Sequence, residues 1–153
     1  MVWGAIAYNT RSPLLLLRGT MTAQRYVHEI LQPHVLPLMQ RLPGPIFQQD
    51  NARPHTTKVS QDCLRTVTAL PWPARSPDVS PIEHIWDHFG RRVGHPTSLN
   101  ELEARLQQIW NEMSEDIIQN FIYRVRSDIS VLVNVIQKDE EKKNGKVENM
   151  CVA

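Results

Sequence analysis

The apolar residues of this chain change their spacing part-way along it, and that change limits the folds that the chain can adopt. In the first half, residues 2–8, 13–18, 46–49 and 67–70 are short apolar runs bounded by turn residues, which is typical of strands. Residues 9–12 are rich in turn formers, so the sequence predicts a hairpin between the first two runs. In the second half, apolar residues recur every three or four positions, as they do on one face of a helix.

Helical spacing predicts two helices in the first half, at residues 22–42 and 56–65, with Pro33 and Pro37 kinking or splitting the first. Three more helices are predicted later. After Pro81 the inward residues are Ile82, Ile85, Trp86, Phe89 and Val93, and after a cap at Thr97 or Ser98 they are Leu99, Leu102, Leu106, Ile109 and Trp110. After Ser114 they are Ile118, Phe121, Ile122, Val125, Ile129, Leu132 and Ile136. Strands and helices that alternate early, followed by helices, predict a mixed α/β sheet with a helical C-terminal part.

The length and charge of the chain fit one ordinary globular domain. A chain of 153 residues can bury a substantial core, and we expect the folded domain to span residues 1–137, followed by a disordered charged tail at 138–153. The net charge is +1, so any contact with DNA would come from local clusters of basic residues. Cys63 and Cys151 make neither a disulfide framework nor a zinc quartet and indicate a reducing compartment.

Two acidic residues stand where a metal site would need rigid carboxylates. Asp50 ends an apolar strand, and Glu83 lies in the first turn of the helix that begins at Pro81. Carboxylates are the ligands that magnesium and manganese prefer. Each acid also has an interpretation without chemistry, because Asp50 can close an Asx turn and Glu83 can complete a capping box with Ser80. A helix N-terminus favours the ionised carboxylate, so the two interpretations of Glu83 are compatible.

Several polar residues near these acids are weaker candidates. His84 and Asp87 could act as outer groups around Glu83, although a solvated charge is the simpler interpretation of Asp87. His84 and His88 share a helix face, as zinc ligands do, but the sequence suggests no third ligand. His55 could touch a phosphate or orient a ligand, or it could be a structural loop residue. The tentative DNA contacts are Asn51, Arg53, His55, Lys58 and Arg75, and the alternative is a dispersed solvated surface.

Taken together, four segments resemble the catalytic domain of mariner-superfamily DDE/D transposases. They are VWGA at 2–5, QQDNARPH at 48–55, LPWPARSPD at 70–78 and SPIEHIW at 80–86, and the resemblance covers about residues 1–125. It implies an RNase H-like fold in which Asp50 is the second and Glu83 the third acid of a triad. It also implies an enzyme of the nucleus that cuts transposon ends and joins them to target DNA with two magnesium or manganese ions.

The chain departs from that family in its first strand. The resemblance places the first acid on a central strand that would precede Val2, between the predicted hairpin and the strand at residues 46–50. Without that strand we expect two open edges, which pair with each other or leave the fragment poorly folded. The sequence therefore predicts a transposase fragment that binds divalent metal weakly and does not cleave DNA alone. The alternative is a non-catalytic DNA-binding or interaction module that associates with full-length transposase.

Overall fold

The computed structural model describes residues 1–71, 81–125 and 132–138, with backbone alone for Val125 and the last segment. The strands are β1 (Val2–Ala7), β2 (Thr10–Arg11), β3 (Leu15–Leu16), β4 (Ile46–Gln49) and β5 (Leu132–Lys138). The helices are α1 (Ala23–Arg25), a π-helix (Tyr26–Val35), α2 (Leu36–Arg41), α3 (Arg53–Thr56), α4 (Lys58–Cys63), α5 (Pro81–Val93), α6 (Leu99–Glu112) and α7 (Glu115–Val125). Mixed α/β architecture with late helices is thus confirmed.

The predicted hairpin forms around β1, but its second arm is divided. β2 pairs antiparallel with the end of β1 and β3 with its start, and Asn9 turns the chain with φ of 57°. The interruption falls at Ser12, where the hydroxyl accepts a hydrogen bond from the backbone N–H of Ala5 at 2.9 Å. Pro13 follows and has no N–H to offer a ladder, so the strand resumes only at Leu15.

The C-terminal helix ends earlier than predicted, and the chain returns to the sheet. α7 stops at Val125, and residues 132–138, which were predicted to continue that helix and begin the tail, form β5 instead. β5 lies between β1 and β4, antiparallel to β1 and parallel to β4. The expectation of two open edges, or of edges paired with each other, is therefore wrong. Val133, Val135 and Ile136 are β-branched, and the paired backbone of two neighbouring strands outweighs the helical spacing.

Two smaller predictions also need correction. Residues 67–70 do not form a full strand but make one parallel bridge, in which the backbone N–H of Phe47 donates to Thr68 at 2.8 Å and that of Leu70 donates to Phe47 at 2.8 Å. The predicted helix at 56–65 is two short helices, because the backbone at Thr57 is extended with ψ of 154°.

The first long helix continues through Pro33 by changing its pitch. The ten residues of the π-helix bond five positions apart, so the proline ring is accommodated inside the helix instead of splitting it. Pro37 lies in the first turn of α2, where its missing N–H costs little.

Each face of β1 is covered by its own apolar cluster. Val2, Ile6 and Leu14 pack with α5, α6 and α7, whereas Trp3, Ala5 and Ala7 pack with the π-helix, α2 and Phe47. The residues buried on the first face include Ile82, Ile85, Trp86, Phe89, Val93, Leu102, Leu106, Ile109, Trp110, Ile118 and Ile122. Most of the predicted inward residues are buried, but Leu99 is 47% exposed at the start of α6 and Phe121 is only partly buried. Leu132 and Ile136 lie in β5 instead of α7, and Ile129 and the side chain of Val125 lie outside the described residues.

A capping box fixes the start of α6. The Ser98 hydroxyl accepts from the backbone N–H of Glu101 at 3.1 Å, and the Glu101 carboxylate accepts from both the N–H and the hydroxyl of Thr97 at 2.7 Å. The two hydrogen bonds from Thr97, with a further one from Arg105, lower the pKa of Glu101 to about 2.

We expect Glu101→Gln to lower the thermal midpoint at neutral pH and to become harmless in acid. A depressed carboxyl pKa stabilises the fold above the unfolded value of 4.5, and the benefit is lost as the pH falls towards about 2. Thermal melts of both proteins between these limits measure the effect. Glu103→Gln, which removes a surface ion pair with Arg18, serves as the matched control. A midpoint difference that did not change with pH would contradict the prediction.

Candidate metal and nucleic-acid site

Asp50 follows β4 directly and lies at the sheet edge with its carboxylate partly exposed. Oδ1 accepts a hydrogen bond from the backbone N–H of Ala52 at 3.1 Å and lies 2.5 Å from Nδ1 of His55. The first contact is the Asx turn that the sequence allowed as the simpler interpretation. It occupies one oxygen only. The side chain remains 29% exposed, and Oδ2 has no protein partner among the described residues.

His55 lies inside the protein, and Tyr26 lies beside it. The His55 side chain has no exposed surface, and its ring centroid is 4.3 Å from that of Tyr26. The Tyr26 hydroxyl donates to Oε1 of Gln49 at 2.5 Å. Burial, followed by the charges of Asp50 and Cys63, holds the pKa of Tyr26 well above its usual value. The sequence allowed His55 to contact a phosphate or to orient a ligand. A buried imidazole is better suited to orienting Asp50 than to contacting a phosphate.

The three described candidates for DNA contact around Asp50, other than His55, face solvent. Asn51, Arg53 and Lys58 are exposed. Arg75, the last tentative DNA contact, lies outside the described residues, as does Ser80 of the predicted capping box.

α5 carries Glu83 in its first turn, half-buried, on a helix whose apolar side packs against β1. The outer groups predicted on this helix have other partners. His84 stacks on Phe121 with ring centroids 5.7 Å apart, and the Asp87 carboxylate accepts from Arg91 at 2.6 Å. Asp87 is therefore engaged in a surface ion pair.

The zinc hypothesis for α5 lacks a third ligand. His88 has a pKa below its usual value because of burial and the neighbouring Arg92 and Arg91, and its Nε2 is buried with no hydrogen-bond partner. Across residues 1–71 and 81–125, no three His, Cys, Asp or Glu side chains stand together as a metal cluster.

The last paired residue of β4 is Gln49, so the alternation of side chains along that strand does not extend to Asp50. Asp50 contacts His55, which packs against Tyr26 of the π-helix cluster. The carboxylate is thus in contact with the side that the π-helix covers, whereas α5 packs on the other face of β1. The hydrogen bond between Tyr26 and Gln49 could not be predicted from the sequence, because the two residues are 23 positions apart and belong to no common periodic pattern.

No helix in the described part of the chain is both long and apolar enough to span a bilayer.

No protein-family model matches the chain. It is similar to the Tcb2 transposase of Caenorhabditis briggsae, with 33% identity over 129 residues, which cover 80% of this chain and 46% of the relative. The Tcb1 transposase of the same organism is 34% identical with the same coverage. The chain thus spans about half the length of these relatives.

Solved structures of the Mos1 mariner transposase are similar in fold. A crystal structure of its catalytic domain aligns with a TM-score of 0.61 and 25% identity, covering 74% of this chain and 61% of that one. A structure of that catalytic domain with raltegravir and Mn aligns equally well and covers 62% of its chain. The Mos1 strand transfer complex gives the same TM-score and identity and covers 35% of its chain. The RNase H-like prediction is confirmed by this likeness.

Proposed function

The chain belongs to the Tc1/mariner family of DNA transposases and has the fold of a mariner catalytic domain, and from that membership we propose that it forms part of a metal-dependent site for DNA cleavage and strand transfer. Asp50 and Glu83 would hold magnesium or manganese. The partner would be DNA, transposon ends and target, and the work would take place in the nucleus. The relatives do not favour a purely non-catalytic module.

The observation that supports this proposal most strongly is the state of the Asp50 carboxylate. One oxygen is fixed by two donors, and the other has no protein partner in the described part of the chain. A carboxylate that is held rigidly and still has a vacant oxygen fits a hard divalent cation. Glu83 lies half-buried in the first turn of α5. Membership of the transposase family supports a joint role for the two acids.

Asp50 and Glu83 would hold divalent ions, which would supply charge stabilisation for the oxygens of a phosphate displaced in line. The residues of the chain would position the DNA. Arg53 and Lys58 are exposed within eight residues of Asp50, where they would contact backbone phosphates. Arg75 remains a proposed contact to DNA, and only its place in the sequence motif supports it.

We expect the chain alone to bind metal weakly and to leave DNA intact. The strand beside β4 is β5, and its residues, Leu-Val-Asn-Val-Ile-Gln-Lys, include no carboxylate. Fewer charged oxygen ligands give a weaker site. β5 also covers the strand edges that, together with the late helices, were expected to support association with a full-length transposase. Only the late helices remain as a basis for that association.

Titration with Mn²⁺ tests the metal site directly. We expect the parent chain to bind Mn²⁺ saturably. Asp50→Asn and Glu83→Gln should each weaken the affinity for Mn²⁺ by at least the roughly 10–100-fold that removal of an outer-shell partner typically costs. Asp62→Asn is the matched control, since Asp62 pairs with Arg65 on the surface at 2.7 Å. Unchanged affinity in either acid variant would exclude that residue as a ligand. Nicking of DNA by the chain alone would contradict the expected inactivity.

A further inference from the structure

We infer that His55 is a positioning residue that, supported by Tyr26, turns one oxygen of Asp50 inward and leaves the other for a divalent cation. This inference rests on the proposed metal role of Asp50 and assigns the orientation of its carboxylate to a named partner.

Two donors fix Oδ1 of Asp50. Ala52 donates a backbone N–H at 3.1 Å, and His55 places Nδ1 at 2.5 Å from the same oxygen. Nδ1 also lies 3.3 Å from the backbone carbonyl oxygen of Asp50, so it faces two acceptors and carries the hydrogen. The Ala52 bond alone would leave the carboxylate free to rotate about one contact. The second donor removes that freedom, so His55 sets the orientation of the carboxylate, whose side chain remains 29% exposed.

Tyr26 supports the imidazole of His55 from behind. His55 is 1% exposed and packs against the Tyr26 ring at 4.3 Å, so the ring cannot swing to solvent. The Tyr26 hydroxyl in turn bonds Gln49, the last residue of β4, at 2.5 Å. The π-helix, β4 and α3 therefore meet at Asp50 through side chains. Residues that hold a metal ligand in this way typically govern affinity without touching the metal.

Two substitutions of His55 separate the hydrogen bond from the packing. In His55→Asn the amide nitrogen falls near the position of Nδ1, whereas in His55→Gln it falls near that of Nε2. Both lose the stacking on Tyr26, and both remain polar and uncharged, so the position of the donor distinguishes them. We expect His55→Gln to weaken Mn²⁺ binding by about 10–100-fold and His55→Asn to recover most of that loss. Equal affinities in the two variants would overturn the inference.

A second readout needs no metal. The Asp50–Ala52 hydrogen bond should loosen when Nδ1 is lost, so hydrogen exchange at the Ala52 amide should be faster in His55→Gln than in the parent and near the parent rate in His55→Asn. Both measurements are made below the melting temperatures of the variants. If the parent binds no Mn²⁺, the proposed metal site fails, and the exchange rates still decide whether His55 holds Asp50. Equal Ala52 exchange in all three proteins would defeat the positioning role.

Discussion

Val135→Pro is expected to unfold the protein or to leave it barely stable. Val135 lies in the middle of β5 and is paired with Ala5 of β1 and Gln49 of β4. Proline removes a ladder N–H from a strand with neighbours on both sides, and a central strand accommodates its ring poorly. We expect a loss of about 3 kcal/mol or more, which is a large part of a typical domain stability of about 5–15 kcal/mol. Urea denaturation followed by circular dichroism measures it.

Two controls separate the strand from a general effect of proline. Val135→Thr keeps the N–H and a β-branched side chain, and it should remain folded. Leu99→Pro puts proline at the first position of α6, where the N–H has no helical partner and the Leu99 side chain is 47% exposed. That variant should lose little stability. If Val135→Pro were as stable as Leu99→Pro, β5 would not form the middle of the sheet in solution.

Trp110→Ala should cause the second large loss. Trp110 is 1% exposed, stacks near Trp86 with ring centroids 6.4 Å apart, and donates from its indole nitrogen to the backbone oxygen of Ser12 at 3.0 Å. Truncation removes the packing of α6 on the sheet and leaves the Ser12 carbonyl without that donor. The expected cost is about 3–5 kcal/mol, or roughly 6–20 °C at about 2–4 °C per kcal/mol. Leu99→Ala, on the exposed side of the same helix, is the control.

The same tryptophan explains why residue 4 is glycine. A Cβ built on Gly4 would lie 2.9 Å from Cη2 of Trp110 and 3.3 Å from its Cζ2, both on the ring edge. Gly4→Ala should therefore cost about 1–3 kcal/mol through overpacking. Phenylalanine at position 110 lacks those atoms, so Gly4→Ala should cost less in Trp110→Phe than in the parent. A double-mutant cycle by urea denaturation checks the coupling, and additive losses would contradict the proposed contact.

The sequence predicts burial best in helices whose apolar residues recur on one face. The stripe from Ile82 to Val93 is buried as its spacing required, and the cap at Ser98 begins α6 where the motif indicated. It fails at Leu132 and Ile136, because they continue the spacing of α7 while their pairing partners, in β1 and β4, are remote in the sequence. Long-range pairing outweighs local period there.

Within the site, the motifs identified Asp50 and Glu83, and their joint use stays a prediction. The contacts around Asp50 were only partly accessible from the sequence. His55 follows Asp50 by five positions, so a local contact between them could be predicted. In the structure Nδ1 of His55 makes that contact. Tyr26 comes from a helix far upstream, and its packing against His55 depends on how the π-helix lies on the sheet.

Because β5, the strand between β1 and β4, is synthesised long after both of them, the nascent polypeptide passes an interval in which those two strands have no partner between them. During that interval their backbone groups are available to water, chaperones or neighbouring chains. A stop codon before residue 132 would make the interval permanent, so such an allele should yield an insoluble product.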